Sequence, residues 1–345
     1  YVGRLGGLWK TSDSGLTWAK LAGTYDIWSG DWVTAIAVDS ADANYVLAGF
    51  NGYNLIAGQF LVESRDAGAT WNAVAGWSAV GLGIREVWID PTTPPVSATI
   101  YISTDSGMYK STDGGANWAA INTGLPATDI LDFAGAVKAG SAVLYCVVPS
   151  SLDVGNNLIG GPYKSTDGGA TWQQIKTGLT QEQWGAAVWY SSIDVCQANA
   201  DVAYLGSGEN YGPTVYRTVD GGANWEMVVT HPAWNWMTPF TTVEMDWIDY
   251  YLDWGWGGDP HQVSVSPTNP NCVAFSEDGR TFRSDDGGYH WFPCYTEEVP
   301  AASTWYQTRG IDVTNVYRYV IDPKWPLRHY LCNTDIGFSR SEDGG

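Results

Sequence analysis

The stretch Tyr109-Lys110-Ser111-Thr112-Asp113-Gly114-Gly115-Ala116-Asn117-Trp118 decides the fold, because it recurs. Lys10-Thr11-Ser12-Asp13-Ser14-Gly15-Leu16-Thr17-Trp18 is the same phrase, and so is Ser64-Arg65-Asp66-Ala67-Gly68-Ala69-Thr70-Trp71. Further copies run from Ser165 to Trp172, from Thr218 to Trp225 and from Ser284 to Trp291. Ser341-Glu342-Asp343-Gly344-Gly345 begins a seventh. The shared pattern is Ser/Thr-x-Asp-x-Gly-x-Thr/Asn/His-Trp. Copies start at 11, 64, 111, 165, 218, 284 and 341, so successive starts lie 53, 47, 54, 53, 66 and 57 residues apart. A fixed period of about 50 residues marks a repeat architecture.

Each residue type in the phrase has a physical job. Short strands precede it, as in Gly7-Leu8-Trp9-Lys10, Gly107-Met108-Tyr109-Lys110 and Thr214-Val215-Tyr216-Arg217. The Trp opens the next strand, so a tight hairpin lies between. The Asp carboxylate accepts backbone N–H bonds inside the turn, and the Ser or Thr hydroxyl bonds locally. The Gly supplies a positive φ that a Cβ would resist. The Trp offers a large apolar face to pack between neighbouring sheets. An Asp repeated at seven hairpins cannot face one site every time, so these carboxylates read as scaffolding.

The phrase resembles the Asp-box, or bacterial neuraminidase repeat, and the resemblance covers essentially the whole chain. Proteins that carry it are β-propellers: sialidases, xyloglucan-degrading endoglucanases, sortilin-type receptors and a photosystem assembly factor. The resemblance implies an all-β, seven-bladed β-propeller over residues 1–345, one domain with incomplete first and last blades. It does not decide function, because this fold hosts enzymes and binders alike.

Composition narrows the partners. With 37 acidic and 17 basic residues the net charge is −20 and the pI about 4.3. That balance argues against nucleic acid and against anionic membrane surfaces, both of which need Lys/Arg clusters. It suits a secreted, extracellular protein. No apolar run approaches the roughly 20 residues of a membrane span. Cys146, Cys196, Cys272, Cys294 and Cys332 show no CxxC spacing, which leaves room for one or two disulfides and an odd thiol. His231, His261, His290 and His329 show no metal-ligand spacing, and no EF-hand-like run supports calcium. No cofactor or metal is expected. The chain starts at Tyr1 without Met, which reads as a processed or trimmed product.

A second pattern precedes each hairpin. Val33–Asp39, Glu86–Pro91, Gln262–Pro267 and Tyr317–Pro323 alternate or run apolar and end in a polar turn. Tyr45–Ala48, Thr99–Tyr101 and Cys272–Phe275 then follow as second strands. These are strands A and B of a blade, and the hairpin joins C to D. Tyr1–Arg4 reads as a strand B, and the last blade stops inside its hairpin. Two bare sheet edges would remain, so either the two partial blades face each other across a seam or, as expected here, the chain is a piece of something longer, with a further domain or protein partner to complete the end blades.

Strand order puts the A–B and C–D turns on one face and the D–A and B–C loops on the other. The second set varies in length, as functional loops on a rigid scaffold do. Its D–A members are 22–33, 76–86, 122–130, 176–187, 228–261 and 294–315, and its longer B–C members are 50–59, 149–161 and 206–213. These loops carry Trp28, Trp32, Trp77, Trp184 and Tyr211, and the long 228–261 loop adds Trp234, Trp236, Trp247, Tyr250, Trp254 and Trp256. Acidic residues interleave with them. Aromatic faces stack on the CH faces of sugar rings while carboxylates accept their hydroxyls, so this rim is the expected glycan-binding surface. Against it stands the plainer reading that many of these rings pack the loops onto the rim.

A narrower similarity singles out one carboxylate. Trp32–Asp39, the Gly52-Tyr53 loop and Ser64–Trp71 resemble the opening blades of the xyloglucan-degrading endoglucanases. In that family a Thr-Asp-Ile/Val-Gly-Gly segment after a strand ending Asp-Pro carries a catalytic Asp. Thr334-Asp335-Ile336-Gly337, after Ile321-Asp322-Pro323, matches it. It departs at Phe338, where the second Gly would stand, and the N-terminal counterpart Arg4-Leu5-Gly6-Gly7 has no Asp. The sialidase reading is weaker: it calls for an arginine triad and an Arg-x-Pro segment, and the sequence has no such segment.

Two functions remain. One is a carbohydrate-active propeller, glycoside hydrolase-like, in which two of Asp31, Asp259 and Asp335 do acid/base work on a polysaccharide. The other is a non-catalytic binding or surface-structural propeller for a protein or glycan partner.

Overall fold

The repeated turn adopts the geometry its residues ask for. In the copy at 165–172, Ser165 Oγ donates to Asp167 Oδ1 at 2.7 Å and accepts from the Gly169 N–H at 2.9 Å. Asp167 accepts the Thr171 N–H at 2.9 Å and the Thr171 hydroxyl at 2.6 Å. The same hydroxyl–carboxylate–amide pattern closes the turns at Ser64, Ser111, Thr218 and Ser284. Gly169 sits at φ +91°, where a Cβ would be strained.

The structure is a computed structural model. It describes residues 2–4, 7–13, 17–21, 32–51, 60–209, 212–229, 242–244, 247, 262–277, 280–299, 305–308, 316–321, 324–325, 327–333 and 338–341. Strands dominate; the described helical segments include Ala75–Val80 and the 3₁₀ turn Pro95–Ser97.

Four-stranded antiparallel sheets repeat along the chain in strand order. The first comprises Trp32–Val38, Val46–Asn51, Leu61–Ser64 and Asn72–Ala73. Next come Glu86–Ile89, Ile100–Thr104, Gly107–Ser111 and Ala119–Ala120, then Asp132–Lys138, Ser141–Leu152, Leu158–Ser165 and Gln173–Gln174. Trp189–Val195, Ala203–Glu209, Gly212–Thr218 and Glu226–Val229 form another. Gln262–Val265, Val273–Ser276, Thr281–Ser284 and His290–Pro293 make the last complete one. Three-stranded sheets flank the series, from Val2–Arg4 to Ala19–Lys20 and from Val316–Ile321 to Phe338–Ser341.

The sheets pack face to face in a propeller-like order. Each hydrophobic cluster is filled from two sheets adjacent in sequence: Val147, Tyr145 and Leu158 meet Tyr190, Leu205 and Trp225, for example. Tyr204, Val215 and Val228 meet Phe275, Phe282 and Trp291 in the next. The first strands of successive sheets neighbour one another around a central cavity of about 350 Å³.

Polar latches join the sheets as well. The Lys before the turn in one sheet caps a turn carbonyl of the next: Lys10 Nζ to Ala67 O at 2.9 Å, Lys110 Nζ to Gly168 O at 3.1 Å, and Lys164 Nζ to Gly221 O at 2.8 Å. The turn Trp reaches back. Trp172 Nε1 donates to Ile121 O at 2.7 Å, Trp225 Nε1 to Ile175 O at 2.9 Å and Trp291 Nε1 to Val228 O at 3.1 Å.

Several loop expectations are corrected. The stretch 149–161 is largely strand, because Ser141–Leu152 and Leu158–Ser165 pair almost to the hairpin tip. Likewise Glu209 pairs with Gly212, which leaves only 210–211 between strands. The long 228–261 segment does not lie wholly on the rim. Thr242–Val243 adds as a parallel fifth strand to His290–Pro293, on the sheet edge opposite the cavity. There the Glu244 carboxylate lies 3.2 Å from His290 Nε2. Finally, Cys146, Cys196 and Cys272 are free thiols, the first two buried.

Candidate functional site

Antiparallel order brings the start of every first strand, the end of every fourth strand and the second-to-third turns to one end of the sheets. That end carries the additions that break the repeat. Glu182–Gln183 pairs with Ala186–Ala187 in a ribbon just before the strand Trp189–Val195. Thr296–Glu298 pairs with Tyr306–Thr308 in a second ribbon before Val316–Ile321. Each presents an indole. Trp184, at the first ribbon's tip with φ +52°, is 67% exposed, and Trp305 is 73% exposed. Trp189, heading its strand, is 43% exposed. Carboxylates stand beside them: Glu182 Oε1 accepts the Gly185 N–H, and Glu298 Oε1 accepts the Tyr306 hydroxyl at 3.1 Å.

Below this face lies the cavity, lined by the first strands Trp32–Val38, Glu86–Ile89, Asp132–Lys138, Trp189–Val195 and Gln262–Val265. Glu86, Asp132 and Gln262 are the opening residues of their strands and sit toward the ribbon-bearing end; Asp194 lies deeper. Asp132 accepts the Phe133 and Ile193 N–H groups, both at 2.8 Å, and the Gln262 amide at 3.4 Å. Asp194 accepts the Val195 and Val265 N–H groups, both at 2.8 Å, and the Ser264 hydroxyl at 3.2 Å. Among the described residues, Glu86 accepts one hydrogen bond, from the N–H of its neighbour Val87 at 3.1 Å.

Burial, reinforced by the Asp132 charge, lifts the Glu86 carboxyl to about 8. Burial lifts Asp132 to about 7 against its two backbone donors, and Asp194 to about 6. Glu86, with a single donor, is lifted furthest; Asp132 and Asp194 collect three donors each, and the Asp194 charge adds to the rise at Asp132. No group of His, Cys, Asp and Glu with metal-holding geometry occurs among the described residues.

The expected site residues fall into three groups. Trp184 stands exposed at the tip of the first ribbon. Trp77 does not: it is fully buried in the helix Ala75–Val80, donates Nε1 to Leu82 O at 3.0 Å, and packs edge-on against Trp118 at 4.9 Å. A ring with no exposed face cannot stack on a ligand, so Trp77 is core. Trp32 heads a strand and pairs with Asn51, and Trp247 is half-buried. Asp31, Asp259 and Asp335, with Trp28, Tyr211, Trp234, Trp236, Tyr250, Trp254 and Trp256, lie outside the described residues.

Sequence reasoning missed Glu86, Asp132 and Asp194. The signal was there: each is an acidic residue flanked by apolar ones in a first strand, as in Glu86-Val87-Trp88-Ile89, Leu131-Asp132-Phe133 and Ile193-Asp194-Val195.

Comparison with known proteins gives this face a context. No family model matches the chain. The xyloglucanase Xgh74A of Acetivibrio thermocellus is 26% identical over 294 residues, covering 74% of this chain and 32% of that protein. A xyloglucanase of a Paenibacillus species is 26% identical over 330 residues, covering 83% of this chain and 29% of that one. The chain is a distant homologue of the GH74 xyloglucanases. It spans about a third or less of the length of these curated relatives. Among solved structures, an ancestral GH74 enzyme superposes with a TM-score of 0.64 at 19% identity, covering 99% of this chain and 45% of that one. YCF48 bound to a D1 peptide superposes with a TM-score of 0.53 at 14% identity, covering 99% of this chain and 88% of that one. At such identities these two likenesses speak for the fold alone. No helix among the described residues is long and apolar enough to cross a membrane.

Proposed function

We propose that this chain is a secreted, carbohydrate-active propeller of seven Asp-box blades, glycoside hydrolase-like, that binds a xyloglucan-type polysaccharide across the face bearing Trp184 and Trp305. The observation that carries the reading is the similarity to xyloglucanases along three quarters of the chain, 74% against the Acetivibrio enzyme. Two exposed indoles with carboxylates beside them supply the chemistry a glucan needs: apolar ring faces for CH groups, acidic acceptors for hydroxyls. In this reading Asp335 works with Asp31 or Asp259 in acid/base catalysis, and a further domain or protein partner completes the cleft.

A second reading has its own support. The fold is shared with YCF48, solved with a bound peptide, and this chain matches only about a third of each enzyme's length. It would then be a non-catalytic propeller that holds a glycan or protein.

The test is to incubate the protein with soluble xyloglucan and measure both binding and new reducing ends. The first reading expects both, with reducing ends lost in Asp335→Asn. Trp184→Ala should weaken binding about 3- to 10-fold, the roughly 0.5–1.5 kcal/mol of a stacked ring. Binding without new reducing ends establishes the second reading, and absence of both removes the glycan from either.

A further inference from the structure

Three acidic side chains from three successive first strands line one cavity. Glu86, Asp132 and Asp194 all line the central cavity of about 350 Å³, and the remaining lining is apolar or uncharged. The polar lining groups from every strand and turn around it are Ser40, Gln197, Gln262 and Ser264. Among the described lining residues there is no Lys, Arg or His. Arg85, beside Glu86 in sequence, turns its guanidinium to Ile130 O and Asp129, both at 2.8 Å. The nearby Cys146 thiol, on the strand paired with Asp132, is fully buried and adds no positive charge.

These carboxyls also do structural work. First strands of neighbouring sheets are not hydrogen-bonded partners of one another, so their inward N–H groups need other acceptors. Asp132 takes the Ile193 N–H of the next sheet, and Asp194 takes the Val265 N–H of the one after. The two acids bracket three sheets at the axis. Among the described residues Glu86 has no such donor. Ser103, opposite it in the strand register, leaves its buried hydroxyl without a hydrogen bond. Three like charges in one cavity, with no cation among its described lining residues, cannot all ionise cheaply, and the carboxyl with the fewest donors holds its proton longest.

We propose that Glu86, Asp132 and Asp194 form an axial proton lock: with protons aboard, the first strands close around the cavity, and deprotonation as the pH rises through neutrality loosens the fold.

The sign follows from linkage. All three carboxyls titrate higher in the folded chain than in the unfolded one. The stabilisation is therefore complete below the ordinary carboxylate range and is lost as pH rises through about 6 to 8.

Thermal unfolding of the full chain at fixed ionic strength, between pH 5.5 and 8.5, tests this. The wild type should lose on the order of 5 °C across that interval. Glu86→Gln keeps the acceptor for Val87 and removes one titration, so its fall should be about half as large. Asp105→Asn, an exposed acid away from the cavity, should keep the full fall. Infrared difference spectra between the same pH values supply a second readout: a protonated-carboxyl band in the wild type, diminished in Glu86→Gln. A wild-type Tm that is flat or rises with pH overturns the proposal. So does a Glu86→Gln variant that keeps both the full fall and the full band, or an Asp105→Asn variant that shrinks the fall as much.

Discussion

At the residue scale the turn hydroxyl is the most exacting member of the repeat. Ser165 is buried, and its one oxygen both donates to Asp167 and accepts from the Gly169 N–H. Ser165→Ala leaves that amide buried with no acceptor, at a cost of about 1–3 kcal/mol. Thr218 makes the same pair of bonds in its own turn, so Ser165→Thr should lie within about 0.5 kcal/mol of wild type. Urea unfolding monitored by tryptophan fluorescence checks both. This role was legible in the sequence, because a hydroxyl, a carboxylate and a glycine at fixed spacing specify one set of bonds. The Lys latch was less so. Lys10, Lys110 and Lys164 precede the phrase, but their acceptors lie 57, 58 and 57 residues away, on the next sheet.

At the element scale the sheets are held by close backbone approaches as much as by side chains. Thr177-Gly178-Leu179 follows a short fourth strand and docks on the next turn, where the Trp225 N–H donates to Thr177 O at 2.9 Å. Gly178 has φ +89°, and a Cβ there would lie 2.2 Å from Trp225 O. Gly178→Ala should therefore destabilise by about 2–4 kcal/mol, combining the left-handed backbone with an overpacked contact. Calorimetry would show the loss, and a wild-type Tm would refute this account of the junction. Strand order and sheet membership were readable from alternation and from the recurring turn. The ribbons before Trp189–Val195 and Val316–Ile321, and the helix that buries Trp77, were not. Ala75-Gly76-Trp77-Ser78 has no marked helical period, and only the contact with Tyr109 and Trp118 shows where that indole goes. Rim position in sequence does not distinguish a ring facing solvent from one folded under.

At the scale of the whole molecule, stability has two acid–base flanks with different owners. The turn carboxylates of Asp13, Asp66, Asp113 and Asp167 are held at about 2, below the ordinary 3.8, by hydrogen bonds from the Thr or Asn side chain four residues on and then by that residue's N–H. Their contribution is complete above the unfolded value and disappears as pH falls through about 2. A scan of Tm should therefore drop steeply between about pH 4 and pH 2, and Asp66→Asn should narrow its gap from wild type over that interval. A constant gap would mean the turn is held by its backbone alone. The acidic flank could be read from the phrase itself. The flank near neutrality required the sheets to be assembled, since Glu86, Asp132 and Asp194 are 46 and 62 residues apart along the chain and meet only around the cavity. The candidate ligand face was legible as a set of loops, and Trp184 was legible within it. Which rings it presents depends on packing that local sequence does not encode.

The parallel strand Thr242–Val243 has a practical consequence for anyone reshaping this protein. It seals the outer border of the Gln262–Pro293 sheet, so the longest insertion is also that sheet's edge guard. Deleting 230–261 as a cassette would uncover a ready template for intermolecular strand pairing. A graft that retains Thr242-Val243-Glu244 and replaces only the stretches on either side keeps the border closed.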